Sequence, residues 1–319
     1  MEGMNNSGQF EQIEVPFKVE PHHSGLRLDE FMKTRLPSYS RNEIHNIIET
    51  RLVQKVRKLK KGTIVRTSDE VVFLYDKKEE AVQDVDIPVL YEDDHLLIVN
   101  KPPDMSVHSN NPWGKNDLIQ QLRRQRNSRE LYLAHRIDRE TSGLVLIAKS
   151  ITIASKLGEA FFGRKVEKEY TALVFGEMAD DNGVIDLPIC GDKKAVVRVK
   201  MTADRDSGAP SITEYTLLKR LNGFTMVSAR PKTGRQHQIR VHLSAIGHPL
   251  VGDKIYKDEK LFLRFIKDGF TEELKKELLL PRHALHASRL SFKHPVTGIQ
   301  LNIEAEMPDD LITFIKKVS

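Results

Sequence analysis

Apolar residues that cluster or alternate with polar ones divide this chain into a short part and a long one. After a polar tail to about residue 13, Ser24 to Met32 opens a helix that Leu36-Pro37-Ser38-Tyr39 closes. A second helix follows, in which Ile44, Ile47 and Ile48 recur on one face, and Ser40 with Glu43 forms a capping box at its start. Arg51 to Lys61 alternates cations with apolar residues, as a strand or ribbon with one cationic face does; Thr63-Ile64-Val65 and Glu70 to Tyr75 read as short strands. Asp76 to Asp86 is acidic, poor in core-forming residues and predicts a linker. The expected organisation is a flexible tail over 1–13, a small helix-helix-strand module over 14–76, a linker over 77–86 and a large domain over 87–319.

In the long part, Leu96 to Asn100, Leu144 to Ala148, Tyr170 to Phe175 and Phe224 to Ala229 read as strands, and Ile153 to Phe162 as a helix. Between Tyr256 and Arg282, Leu261-Phe262-Leu263 and Thr271 to Leu278 suggest further helices. Strands outnumber helices and do not alternate with them regularly. That pattern predicts an α+β class with a mostly antiparallel sheet rather than a doubly wound one.

Composition narrows this picture without identifying a function. The 319 residues, 39% of them apolar, suffice for a large domain plus a small one. A single cysteine, Cys190, excludes an internal disulfide framework and a thiolate zinc site, which favours a reducing cytosol. The first fifteen residues lack the basic start and apolar run of a signal peptide, and no stretch approaches the roughly 18 apolar residues of a spanning helix, so a cytoplasmic protein is expected. Net charge is only +5, from 50 basic and 45 acidic residues, so its distribution matters more than its sum. The cations at Lys58, Lys60 and Lys61 suit either a phosphate-binding edge or a solvated charge run.

The densest chemistry lies in His135-Arg136-Ile137-Asp138-Arg139-Glu140-Thr141-Ser142-Gly143, a charged, hydroxyl-bearing turn that runs directly into an apolar strand. Such a seam can aim Asp138 into a pocket, although an Asp between arginines also suits an ordinary loop ion pair. A second constellation runs from Thr233 to Leu250. If residues 236 to 246 are helical, Gln236, Ile239, Arg240 and Leu243 share a face, which sends Arg240 inward and demands a buried anion for it. Asp138 is the natural candidate, and a guanidinium beside it would keep the carboxylate ionised and fix its direction. Tyr170 opens a strand, where its ring can serve as core or as a stacking surface. His237 and His242 are five residues apart, not the four that align two ligands on a helix, which argues against a metal.

Residues 24 to 75 resemble the small RNA-binding module first known from ribosomal protein S-four, through Arg27-Leu28-Asp29, Leu36-Pro37, Ser40-Arg41 and a basic hairpin. They depart from it at Thr50-Arg51 and Lys58-Leu59-Lys60, where that family shows a Gly and then Val-Asn-Gly. The long part is similar to the RluA-type RNA pseudouridine synthases. Tyr91-Glu92-Asp93-Asp94, Val99-Asn100-Lys101-Pro102, His135 to Leu144, Lys168-Glu169-Tyr170 and Gly234 to Arg240 carry that resemblance, with Gly252-Asp253, Leu285-His286-Ala287 and His294 to Gly298 following in the same order.

This resemblance implies a central mostly antiparallel mixed sheet flanked by helices and loops, acting on RNA without cofactor or metal and as a monomer. It implies isomerisation of uridine to its C-glycoside, with Asp138 as the essential carboxylate, acting either as nucleophile or as the base that removes the 2′ hydrogen. Tyr170 would stack on the base and assist proton removal from C5, Arg240 would hold Asp138 ionised, and Arg136 would stand near the vacated stack of a flipped base. His135, Thr141, Arg235, Gln238 and Leu285 are expected to contact the substrate, with Leu285 under the ring. Large-subunit ribosomal RNA is the substrate expected, with transfer RNA as the alternative. A non-catalytic RNA-binding protein on this fold is a competing reading that intact Asp138, Tyr170 and Arg240 disfavour. A glycosidase would want a second carboxylate, for which Glu140 is the near candidate.

Overall fold

A computed structural model describes residues 11–36, 41–53, 59–67, 69–77, 81–109 and 115–319. The chain forms two compact units, Met1–Ala81 and Val82–Ser319.

The first unit runs through β1 (Glu11–Lys18), α1 (Leu28–Arg35), α2 (Arg41–Thr50), β2 (Leu52–Val53) and β3 (Glu70–Lys77), with the strands in the antiparallel order β1-β3-β2. Strand β1 begins inside the stretch expected to be a tail. Pro16 masks it in the sequence but is tolerated because β1 is an edge strand. Ile44, Ile47 and Ile48 of α2 are buried with Leu28, Phe31 and Met32 of α1, Val65 and Phe73, as helical periodicity requires. Of the ribbon expected over 51–61, residues 54–58 lie outside the described residues; Leu52–Val53 forms β2, Leu59 is buried, and Lys60 to Gly62 lead into a turn closed by Thr63 N–H on the Lys60 carbonyl. Thr63 to Val65 contributes an isolated bridge between Ile64 and Arg27 in place of a strand. Ser40, the expected cap of α2, and Lys58 lie outside the described residues. Arg27 forks onto Asp29 through Nε and Nη2 at 3.0 and 3.1 Å, and this pairing, with His45 and Arg41 also on that buried carboxylate, holds its pKa well below the usual range despite burial.

In the second unit, β4 (Val89–Glu92) and β5 (Leu96–Lys101) form a hairpin, followed by α3 (Leu118–Gln125), β6 (Tyr132–Leu133), β7 (Ser142–Ala148), α4 (Ile151–Phe162) and β8 (Glu167–Phe175). Next come β9 (Asn182–Asp186), a small ribbon of β10 (Ile189–Gly191) and β11 (Met201–Ala203), and the long hairpin of β12 (Ile212–Leu221) and β13 (Phe224–Pro231). The chain closes through α5 (Gln238–Ala245), α6 (Glu259–Asp268), α7 (Glu272–Leu278), β14 (Leu285–Lys293), β15 (Gln300–Glu304) and α8 (Asp309–Val318). One sheet runs β4-β5-β7-β14-β8-β13-β12-β9, with β15 on β14 and β6 on β7; among the described residues its one parallel pair is β7 with β14. Every residue of β7 is buried, because it lies inside the sheet between β5 and β14 and shares a continuous apolar core with residues of α3 and α4. Helix α5 packs Ile239 and Leu243 onto the face of β8 and β13 that carries Ala172, Val174, Val227 and Ala229.

The parallel pairing depends on one glycine. Gly143 has φ +110°, and a Cβ there would stand 2.3 Å from the Ala287 carbonyl oxygen. Backbone lies on that side, so nothing can yield. Gly143→Ala is expected to lower stability by about 2–4 kcal/mol in a urea melt, the combined effect of overpacking and an unfavourable φ; an unchanged midpoint would show that β14 does not need this close approach.

Candidate active site

Asp138 projects from the turn between β6 and β7, closed by a hydrogen bond from Thr141 N–H to the Asp138 carbonyl at 3.1 Å. The turn is pinned on both flanks. Thr141 Oγ1 lies 2.7 Å from His283 Nε2, and Ser142 Oγ lies 3.0 Å from His286 Nδ1. On the other side, fully buried Lys101 donates to the carbonyls of Pro102, Met105 and Arg139 at 2.7, 2.8 and 3.0 Å. Three acceptors match the three N–H groups of an ammonium, so the Lys101-Pro102 motif fixes the backbone beside Asp138.

Arg240 comes from α5 and is buried. Its Nε and Nη2 fork onto Asp253 at 2.7 and 3.0 Å, which leaves Nη1 to donate to Asp138 Oδ2 at 2.9 Å. Asp253 is fully buried, and its Oδ1 also accepts the N–H groups of Ile255 and Tyr256, both at 3.0 Å. The guanidinium lies 4.8 Å over the Tyr256 ring. Buried charges are tolerable only when paired, and in this chain of carboxylate, guanidinium and carboxylate each charge has its partner. Burial would raise the Asp138 pKa. The Arg240 charge, with His237, His283 and the Arg240 hydrogen bond, outweighs it and holds the carboxyl below its ordinary value. The Asp138 side chain keeps 27% of its surface exposed, so the ionised group remains reachable.

His237 stands beside this pair, with Nε2 3.9 Å from Asp138 Oδ2 and Nδ1 2.8 Å from the Tyr256 hydroxyl. That hydroxyl already accepts Met201 N–H at 2.9 Å, so among the described residues His237 Nδ1 is the acceptor left for its proton. The imidazole proton then sits on Nε2, facing Asp138. Burial, then the Arg240 charge, lowers the His237 pKa to about 4 against the pull of Asp138 and Asp253, so the ring is neutral at physiological pH. Tyr170 opens toward the same site from β8. Burial, then the Asp138 charge, raises its hydroxyl pKa, and none of the described residues hydrogen-bonds that hydroxyl. Leu285 is buried in the cluster that Tyr170 borders.

Other residues expected at the substrate do different work. His135 Nε2 accepts the Leu146 N–H at 3.0 Å, extending the β6 ladder through a side chain, and its ring packs on Phe161. Burial, then the Lys168 charge, lowers its pKa to about 3, which keeps that nitrogen an acceptor. Thr141 is buried against His283. Gln238 uses its whole amide internally: Oε1 accepts from Thr233 Oγ1 and Arg235 N–H, and Nε2 donates to the Ile212 carbonyl and Thr213 Oγ1. These three residues spend those polar groups within the protein, holding the loops around the site. Arg136 and Arg235 are exposed on the turn and on the loop before α5. Lys60 and Lys61 are exposed in the first unit.

Glu140 also turns inward, accepting from Lys254 Nζ at 2.8 Å and His283 N–H at 3.0 Å. Although burial opposes ionisation, His283 and Lys254 lower its pKa to about 2, so it holds no proton to give and cannot serve as a glycosidase acid. Sequence reasoning assigned no role to Asp253, His237, Lys101 or Tyr256. A buried arginine that needs a second anion was the available signal for Asp253. Among the described residues, no group of three or more His, Cys, Asp and Glu side chains is arranged to hold a metal, and no helix is long and apolar enough to cross a membrane.

The family described as RNA pseudouridylate synthase matches residues 95–245, which include Asp138, Tyr170 and Arg240. Ribosomal large subunit pseudouridine synthase D of Yersinia pestis is 32% identical over 96% of this chain and 94% of its own length. The protein of that name from Escherichia coli K12 is 31% identical over 96% and 94%. Among solved structures, human RNA pseudouridylate synthase domain containing 1 aligns with a TM-score of 0.58 at 25% identity, covering 72% of this chain and 86% of that one. Human RNA pseudouridylate synthase domain containing 4 aligns at 0.56 and 27%, covering 70% and 90%. With the sheet order, the buried arginine and near full-length similarity in agreement, this chain belongs to the RluA family of RNA pseudouridine synthases, enzymes that isomerise uridine within RNA.

Proposed function

We propose that this enzyme converts uridines of large-subunit ribosomal RNA to pseudouridine, with Asp138 as its essential carboxylate. One observation carries the site assignment: Arg240, locked by Asp253, donates from Nη1 to Asp138, a partly open carboxylate held ionised beside Tyr170. An ionised carboxylate with a free lone pair suits attack on the sugar or removal of its 2′ hydrogen. The bond from N1 to C1′ breaks, the uracil turns over in the pocket, C5 bonds to C1′, and the C5 proton leaves. The Tyr170 phenol is neutral at working pH, which suits stacking on the uracil and hydrogen bonding better than proton abstraction.

Arg136, exposed two residues before Asp138, is placed to occupy the stack a flipped uridine vacates, offsetting a cost of about a few kcal/mol. Arg235 and the exposed Lys60 and Lys61 add phosphate contacts, the latter two from the first unit acting as an RNA-binding module. The full-length relatives named for the ribosomal large subunit support that choice of RNA. Pseudouridine mapping of total RNA from a strain lacking the gene is expected to show discrete sites lost from large-subunit ribosomal RNA. They should return with the intact gene and not with Asp138→Asn. Losses confined to transfer RNA would refute the ribosomal assignment.

A further inference from the structure

Lys168 and Tyr170 are alternate residues of β8 and share the sheet face that carries α5. Glu169 between them points the other way and is taken by Ser228 Oγ at 2.8 Å and Arg230 Nε at 3.4 Å. Lys168 has no such counterpart. Among the described residues no acidic group pairs with it, and its ammonium reaches the Thr233 carbonyl at 3.5 Å, the outer limit of a hydrogen bond. Burial lowers its pKa with no neighbouring carboxylate to raise it again. The groups around it are His135, held neutral, and the Thr233-Gly234-Arg235 loop, whose Arg235 is an exposed cation.

A half-buried cation without an anion is costly, and a neutral side chain would hold the Thr233 carbonyl for less. Gly234 is exposed and carries no side chain, and a Cβ placed there would stand 3.7 Å from the ammonium, so this position of the loop leaves Lys168 uncovered. Its distance from Tyr170 along the strand is about 7 Å, the scale of one nucleotide. We infer that Lys168 is a phosphate-binding residue of the pocket, taking the backbone phosphodiester next to the uridine that stacks on Tyr170. This rests on the reading of the Asp138 pocket as the uridine site.

The test uses an in vitro transcript of large-subunit ribosomal RNA bound to full-length protein carrying Asp138→Asn, so that no turnover disturbs equilibrium. Adding Lys168→Gln keeps a donor for Thr233 and removes the charge. It is expected to weaken binding about tenfold at 0.1 M salt and to flatten the plot of log affinity against log salt by about 0.7–0.9, one phosphate contact. Lys168→Arg should retain the parental slope, and in the Asp138-containing enzyme Lys168→Gln should raise KM with kcat changed less than about threefold. An unchanged slope overturns the inference, whether affinity is kept, as for a merely structural lysine, or lost, as for a contact to the uracil oxygens. A fall in kcat at constant KM overturns it as well. Turnover by Asp138→Asn alone would refute the catalytic assignment and leave the Lys168 slope to be read separately.

Discussion

Asp138→Asn is expected to abolish tritium release from C5-labelled RNA, by at least about four orders of magnitude, while leaving RNA affinity within about tenfold. The asymmetry follows from the geometry. An asparagine fills the same space and keeps an oxygen for Arg240 Nη1, so the turn pinned by Lys101, Thr141 and Ser142 has no reason to move. What it removes is the ionised oxygen that bonds to the sugar or takes its proton. Retained turnover would sink the mechanism. Lost affinity with a lowered melting temperature would instead show that the turn depends on the charge.

Arg240→Met is expected to act on both stability and chemistry. The substitution strands two carboxylates: Asp253, fully buried, and Asp138, whose ionisation burial already opposes. Leaving one partner of a buried ion pair uncompensated costs about 3–5 kcal/mol, so unfolding in urea should begin at markedly lower concentration. Removing the Arg240 charge also leaves burial to push the Asp138 pKa upward. In the intact enzyme that pKa is depressed, so the stability it contributes is present above the unfolded-state value and is lost as pH falls through the folded-state value. In Arg240→Met the acid limb of kcat/KM should move to higher pH. An acid limb that stays in place would show that Arg240 does not set the Asp138 charge.

The pairing of Arg240 with Asp138 is legible in the sequence, because helical spacing puts Arg240 on the face of Ile239 and Leu243 and a buried guanidinium requires an anion. The main strands and α4 are legible for the same periodic reason. Strand β1 is hidden by Pro16, which the edge position excuses. That Gln238, Thr141 and His135 spend polar groups within the protein is not legible in the sequence, because an amide, a hydroxyl or an imidazole in a functional motif looks the same whether or not it holds the backbone. Lys101 is the converse case: three carbonyls draw it inside, and nothing in Asn100-Lys101-Pro102 by itself announces that.

By itself the sequence determined the main strands of the large domain, the helices with a clear apolar face and that Arg240 must meet a carboxylate, since all follow from side chains a few positions apart. Only the tertiary structure decided that the guanidinium would bridge two of them. Asp138 and Asp253 lie 102 and 13 positions from Arg240. The Asp138 turn is held in place where β7 and β14 pair in parallel across Gly143, anchored through Thr141 and Ser142 to His283 and His286. Local periodicity carries no information about such a long-range pairing; it is fixed when the whole sheet closes over its core.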